Sequence, residues 1–163
     1  MDSLLPLANE AAQLLKQRGE TLAIAESSSG GLLSAALLSV PGASSYFLGA
    51  AVVYTGRARE KLMDLPRGSV AGMRSASEPY ARLLAETART NLRAVWGIGE
   101  TGAAGPTGNP YGDAAGHTCL ALAGPVEESL TIETGINDRV TNMRAFARHA
   151  LELLIRGLKG APQ

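Results

Sequence analysis

The chain has 163 residues, of which 45% are hydrophobic and 18% charged, the balance of a globular domain long enough to bury a core. Its 15 basic side chains equal its 15 acidic ones, and aromatic residues make up only 4%. Such a chain lacks the positive field and the stacking surfaces of proteins that bind nucleic acid or an anionic membrane. We therefore expect a single domain over residues 1–163 that binds neither.

The content of cysteine and histidine limits the chemistry further. Cys119 is the only cysteine, and His117 and His149 are the only histidines. One cysteine excludes an intrachain disulfide and a thiolate-rich metal site, and the two histidines lack the spacing of metal ligands. The first residues lack a signal-peptide pattern, and no run approaches the length of a membrane span. We expect a cytoplasmic protein without a metal site.

Apolar periodicity predicts the elements of the first half of the chain. Leucine and alanine at three- and four-residue spacing predict a helix over residues 3–18, which Gly19 ends. A short strand follows at 21–25, and then a helix over 30–40. The segment 48–54 is small and apolar on both faces, which favours a buried central strand.

The second half of the chain predicts further elements of both types. They are a helix at 57–65, a helix from Ser77 to about Leu92, a strand at 94–99, a glycine-rich loop at 101–116, a hairpin of 117–123 with 129–134, and a helix at 139–158. Helices that alternate with apolar strands before a hairpin predict an α/β layered domain. Its sheet should be mostly parallel, with the antiparallel hairpin at one edge.

Ligands of such sheets bind beyond the carboxyl ends of the strands. Three loops leave predicted strand ends, at 26–31, 54–59 and 101–116, and we expect them to converge on one site. The first carries Ser27–Ser29 followed by Gly30-Gly31 at a helix start, a place for an anion or a developing oxyanion. The alternative is that the serines only cap the helix, for which one serine suffices.

A hydrolase of amides or esters needs a nucleophile, a group that takes its proton, and donors for the oxyanion. Serine, a Tyr/Lys-type base and glycine-loop N–H groups supply these without metal or histidine. Tyr54 lies at the end of its predicted strand, with Arg57, Arg59 and Lys61 just beyond it. In the alternative interpretation, Tyr54 is a half-buried strand residue and the cations form a solvated helix face.

Residues 97–102 match the pattern G-x-G-x-x-G after a strand. A dinucleotide site requires that this pattern open a helix and that an acidic residue follow at the next strand end. Here the loop continues instead, so we do not interpret the pattern as a dinucleotide site.

Six segments, in order, resemble motifs of the CinA C-terminal domain family, the nicotinamide-mononucleotide amidohydrolases. Residues 25–31 resemble its A-E-S-C-T-G-G, 41–47 its P-G-S-S-x-x-F, 54–59 its Y-S-N-x-x-K, Ser77-Glu78 its V-S-E, 101–106 its T-G-I-A-G-P, and Asp138-Arg139 with Arg144 its G-D-R-x-x-V-R. The resemblance covers about residues 8 to 155, nearly the whole chain.

This resemblance implies a three-layer α/β/α sandwich that hydrolyses the amide of nicotinamide mononucleotide, needs no cofactor and forms homodimers or higher homo-oligomers. It implies that Ser27 is the nucleophile and that Tyr54 assists proton transfer. The implied substrate-binding residues are donors at Ser28, Ser29, Gly30 and Gly31, a pocket lining of Thr101, Gly102 and Gly105, and Arg139 at the phosphate.

Arg59 stands where the family has the lysine proposed to activate the serine. Arginine stays protonated, so it cannot act as a general base, although it could stabilise an alkoxide or bind phosphate. Lys61, two residues on, is predicted on another face of the helix. A second hypothesis is therefore a homologue with weak or no turnover that binds a nucleotide or a protein partner through the same pocket. A third is a structural domain in which the glycine-rich loop is only a connector.

Overall fold

The structure is a computed structural model that describes residues 1–162, and Gln163 lies outside them. Within that range the helices are α1 Leu5–Arg18, α2 Leu32–Leu38, α3 Gly56–Met63, α4 Glu78–Asn91 and α5 Arg139–Gly160. The strands are β1 Leu22–Glu26, β2 Phe47–Val52, β3 Trp96–Ala103, β4 His117–Ala123 and β5 Glu128–Glu133. None of the helices in this range is long and apolar enough to cross a bilayer.

The strands form one mixed sheet in the order β2-β1-β3-β4-β5. Strand β1 is parallel to both β2 and β3, whereas β4 is antiparallel to β3 and β5. The predicted α/β fold is confirmed, with parallel strands on one side and the hairpin on the other.

Alternation along the strands gives the two faces of the sheet different cores. Leu22 and Ile24 point to the face that α1, α2 and α5 cover, where they meet Trp96 and Ile98. Ala23 and the other small side chains point to the opposite face, which α3 and α4 cover. The result is a three-layer arrangement in which α4 lies very close to the sheet.

Two glycines allow this close approach of α4 to β3. A Cβ atom on Gly97 would collide with the carbonyl oxygen of Ala85, and one on Gly99 with that of Ala81. The G-x-G-x-x-G pattern therefore contains glycines that serve helix–strand packing.

The structure corrects two predictions about strands. Residues 48–54 are not a buried central strand: β2 is an edge strand whose side chains alternate between half-buried and exposed. The chain places β2 and β3 on opposite sides of β1, so β2 lies at the edge and β1 is a fully buried interior strand. Strand β3 also continues to Ala103, because β4 pairs with its last residues, so Thr101 and Gly102 lie in a strand rather than in a loop.

Candidate active site

A cleft of ≈ 1200 Å³ lies at the carboxyl ends of the parallel strands. Residues from all three predicted loops line it, among them Ser27, Tyr54, Arg59, Thr101 and Gly102. A fourth segment, which sequence reasoning did not single out, supplies a large part of one side. We call this segment, residues 67–76, the cleft wall.

The serine loop, residues 27–31, turns sharply between β1 and α2. The N–H of Gly30 donates to the carbonyl oxygen of Ser27 over 3.1 Å, and Gly30 and Gly31 adopt φ of +66° and +93°. These left-handed conformations are those that glycine adopts at little cost. The Ser27 side chain is half-buried in the cleft, and its hydroxyl makes no hydrogen bond within residues 1–162.

The other two serines direct their hydroxyl groups into the protein. Ser28 Oγ donates to Glu100, and Ser29 Oγ lies 2.6 Å from Glu26 Oε2 and 2.9 Å from Glu100 Oε2. The N–H groups of Ser27 and Ser29 also donate to Glu100, over 2.8 and 2.9 Å. Among the three serine amides, only that of Ser28 lacks an acceptor within residues 1–162.

Glu26 and Glu100 are fully buried carboxylates that fix this loop. Glu26 also accepts from the N–H groups of Leu33 and Ser34, over 3.3 and 3.2 Å, where its charge lies at the positive end of α2. Glu100 accepts from Thr118 Oγ1 over 2.9 Å. Sequence reasoning missed the role of Glu100; the signal for it is a lone carboxylate in an otherwise uncharged strand, Trp96–Ala103.

Tyr54 lies beyond the end of β2, is 62% exposed and lines the cleft, so the prediction that a buried strand holds it is wrong. Its phenol oxygen accepts a hydrogen bond from Arg139 Nη2 over 3.1 Å. Arg139 Nη1 donates to the carbonyl oxygen of Gly105 over 2.7 Å. Of the predicted site residues, Ser28, Ser29, Gly30, Gly31, Gly105 and Arg139 do not line the cleft.

Arg59 is the buried cation of the cleft, with 8% of its surface exposed. Its Nε donates to the carbonyl oxygen of Leu65 over 3.0 Å. Its terminal nitrogens make no hydrogen bond or ion pair within residues 1–162. Lys61, by contrast, is exposed and pairs with Glu60.

The cleft wall is attached to the sheet near Ala76. The N–H of Ala76 donates to Thr101 Oγ1 over 3.2 Å, and its carbonyl oxygen lies 2.9 Å from His117 Nε2. Since that carbonyl only accepts, Nε2 carries a proton. Arg74 pairs with Asp113 over 2.9 Å.

The other nitrogen of His117, Nδ1, faces the Glu133 carboxylate, and this contact favours the protonated ring. Burial lowers the pKa of His117, but the hydrogen bonds to Glu133 and Ala76 and the charges of Asp113 and Glu133 raise it by more, so that the pKa lies above its ordinary value of 6.5.

Within residues 1–162, no three His, Cys, Asp or Glu side chains are grouped closely enough to hold a metal ion. The cleft instead offers an unengaged serine hydroxyl, a phenol and a guanidinium.

Fold and cleft together define a class: α/β/α proteins with a serine-bearing loop at the carboxyl edge of parallel strands. The model of the CinA C-terminal domain matches residues 4–158, and the chain belongs to this family. This confirms the family that the sequence motifs predicted.

Named relatives agree with that membership. The chain is 39% identical over 152 residues to a CinA-like protein of Gloeobacter violaceus, covering 92% of this chain and 36% of that protein. It is 39% identical over 145 residues to a CinA-like protein of Anaeromyxobacter sp. strain K, covering 89% and 36%. The chain thus spans about a third of the length of these curated relatives.

Solved structures show the same fold. A competence-damaged protein (CinA) superfamily protein from Enterobacter cloacae superposes with a TM-score of 0.87 at 27% identity, covering 95% of this chain and 92% of that one. The competence/damage inducible protein CihA from Agrobacterium tumefaciens gives 0.85 at 27% identity, covering 96% and 95%.

Proposed function

We propose that this chain is a metal-free amidohydrolase that converts nicotinamide mononucleotide into nicotinate mononucleotide and ammonia. The observation that carries the proposal is the hydroxyl of Ser27, the one hydroxyl of the three serines that lies in the cleft without a carboxylate partner. The cleft volume of ≈ 1200 Å³ leaves room for a nucleoside monophosphate. Membership of the CinA C-terminal domain family supports hydrolysis of this amide, because the motifs that the chain shares with the family imply this activity.

In the proposed reaction, Ser27 Oγ attacks the carboxamide carbon and the carbonyl oxygen becomes an oxyanion. The peptide N–H of Ser28 directly follows Ser27 and has no acceptor within residues 1–162, so it is our candidate donor to that oxyanion, although the Ser28 side chain turns away from the cleft toward Glu100. Arg139 donates to the oxygen of Tyr54, so the phenol proton is directed elsewhere and can pass to the departing nitrogen. The phenol oxygen takes up the proton that Ser27 loses, so Tyr54 relays one proton from the serine to the ammonia and stays neutral. Ammonia leaves, and water then hydrolyses the serine ester to release the acid.

A second candidate has a specific observation in its favour. Arg59 cannot take the proton of Ser27, and no base is hydrogen-bonded to that hydroxyl within residues 1–162. This arrangement fits a homologue that binds the nucleotide with weak turnover or none.

The first experiment incubates the protein with nicotinamide mononucleotide and follows the release of ammonia. Ser27→Ala should lower the rate by at least about a thousandfold, because the nucleophile is lost, while the dissociation constant changes little. Ser3→Ala, an exposed serine outside both the cleft lining and the cleft wall, is the matched control and should leave the rate unchanged.

Unchanged ammonia release from Ser27→Ala would contradict the assignment of the nucleophile. No release from the unmodified chain, together with saturable binding of the nucleotide by calorimetry, would instead favour the binding homologue. The homo-oligomer and the cytoplasmic location implied above remain part of the proposal, and sedimentation and cell fractionation test them.

A further inference from the structure

The guanidinium of Arg59 is a charged group in the cleft to which the proposed reaction assigns no role. It is more than nine-tenths buried, lines the cleft, and keeps both terminal nitrogens without a partner within residues 1–162. A buried cation is costly unless a charge or hydrogen bonds compensate it. Since Nε alone is engaged, the two terminal nitrogens are in place to meet an anion that enters the cleft.

The start of α3 adds donors beside this guanidinium. Thr55 Oγ1 caps the N–H of Ala58 over 3.1 Å, and the carbonyl oxygen of Thr55 accepts from the N–H of Arg59. The N–H groups of Gly56 and Arg57 have no acceptor within residues 1–162. Free N–H groups and the helix dipole make such a terminus favourable for an anion.

Gly56 keeps the space between these donors and the guanidinium open. A Cβ atom on Gly56 would lie 3.9 Å from Arg59 Nη2, in van der Waals contact with it. Thr55, Gly56 and Arg59 all line the cleft. The helix terminus and the guanidinium therefore face the same volume.

The charges around Arg59 also favour the binding of an anion. Arg67 lines the same cleft and makes no ion pair within residues 1–162, whereas the one acid of the lining, Glu60, pairs with Lys61. Arg139 does not line the cleft, and its terminal nitrogens are engaged by Gly105 and Tyr54.

We propose that Arg59 and the first turn of α3 form the phosphate-binding subsite of the cleft, which takes the phosphate monoester of a nucleotide. The inference rests on the proposed function for the identity of the nucleotide. It gives Arg59 a binding role in place of the proton-transfer role of a lysine at this position, and it replaces Arg139 as the phosphate contact.

The test compares the binding of two ligands that differ only in the phosphate, nicotinamide mononucleotide and nicotinamide riboside, by calorimetry on the intact chain. Arg59→Gln should weaken binding of the mononucleotide by about tenfold to a hundredfold, the effect of losing charge-assisted hydrogen bonds. Binding of the riboside should stay within about twofold, since it lacks the group that Arg59 contacts. Inorganic phosphate should compete with the mononucleotide on the unmodified chain.

A second variant, Gly56→Ala, tests the same subsite independently, so the proposal remains testable if Arg59→Gln does not fold. Gly56→Ala leaves the guanidinium in place but puts a methyl group into the proposed anion position, and it should weaken only the mononucleotide. Gly160→Ala, at the end of α5, is its control, because a Cβ atom there meets nothing within 4 Å and Gly160 does not line the cleft.

Two results with a folded Arg59→Gln variant would overturn the subsite: an equal loss of affinity for the mononucleotide and the riboside, or no loss of affinity for either. In both cases, ammonia release by the unmodified chain would still support the hydrolase. Absence of turnover with a phosphate-dependent affinity that Arg59→Gln removes would leave the subsite standing and refute only the hydrolase.

Discussion

The serine loop and the cleft wall face the same cleft but are held in opposite ways. Glu100, which is fully buried, accepts hydrogen bonds from two backbone N–H groups and two hydroxyls of the serine loop. The cleft wall is mostly exposed. Its contacts with the rest of the protein are concentrated at Arg74, which pairs with Asp113 in the loop before β4, and at Ala76, which is hydrogen-bonded to the sheet. One side of the cleft is thus organised before a ligand arrives, and the other is able to adjust to it.

The largest expected effect comes from removing the carboxylate beneath the serine loop. Glu100→Leu keeps a similar volume but leaves the N–H groups of Ser27 and Ser29 without acceptors in a buried place. Each orphaned donor costs about 1–3 kcal/mol, so we expect the free energy of unfolding to fall by roughly 3–5 kcal/mol. Chemical denaturation measures this change.

Glu100→Gln sharpens the same test, because its amide oxygen accepts from both N–H groups while its NH₂ group donates to reoriented hydroxyls of Ser28 and Thr118. We expect a loss of only about 1–2 kcal/mol. Glu10→Gln, in an exposed pair with Lys159, should change stability by under about 1 kcal/mol. Equal losses for Leu and Gln at position 100 would contradict the role of these hydrogen bonds.

A smaller loss of stability is expected when the Arg74 contacts of the cleft wall are removed. Arg74→Ala removes the pair with Asp113 and the hydrogen bond to the Ala76 carbonyl oxygen. Because the pair is partly exposed, the free energy of unfolding should fall by no more than about 1 kcal/mol. Trypsin should nevertheless cleave faster after Arg67, within the cleft wall, as that segment opens more often.

Arg82→Ala is the control for this prediction, since it removes an exposed pair with Glu78 on α4, away from the cleft. It should cost similar stability without changing the cleavage rate after Arg67. If both variants accelerate cleavage equally, the cleft wall opens only with the whole protein.

The smallest effect concerns pH. His117 has a pKa raised above 6.5 in the folded protein, so folding favours its protonated form. The stability from this group is fully present below about pH 6.5 and is lost as the pH rises through the folded pKa. Glu133, Asp113 and the Ala76 carbonyl oxygen face the ring, with Cys119 Sγ 3.6 Å from Nε2.

His117→Gln removes the titration but keeps an amide for hydrogen bonding. The difference in unfolding free energy between the unmodified chain and this variant should therefore shrink as the pH rises above about 6.5. Denaturation curves at several pH values measure it. A difference that grows with pH would show that the neutral imidazole is the favoured form.

The sequence predicted the helices and the hairpin well, because periodicity and caps are local. Ser77 starts α4 and Gly19 ends α1 as expected. The position of β2 was wrong because Leu48 to Tyr54 has the composition of a buried strand, whereas sheet order is decided by chain connections that periodicity does not contain.

At the site, the serine loop and Arg59 were found from spacing and residue type. The cleft wall was missed because residues 67–76 carry no catalytic residue pattern and become relevant only through contacts with Asp113 and His117, distant in the chain. Glu100 was passed over as part of a misleading glycine pattern, although a single buried carboxylate in a strand demands several donors.

The direct contact of α4 with β3 at Gly97 and Gly99 has a consequence for dynamics. With no layer of side chains between them, the two backbones exclude water from each other along this contact. Their amide hydrogens should exchange with solvent only when the whole protein unfolds, whereas those of residues 67–75 exchange through local opening. We expect the boundary between the two kinds of exchange at Ala76, which is hydrogen-bonded to Thr101 and His117 and directly precedes Ser77, the N-cap of α4.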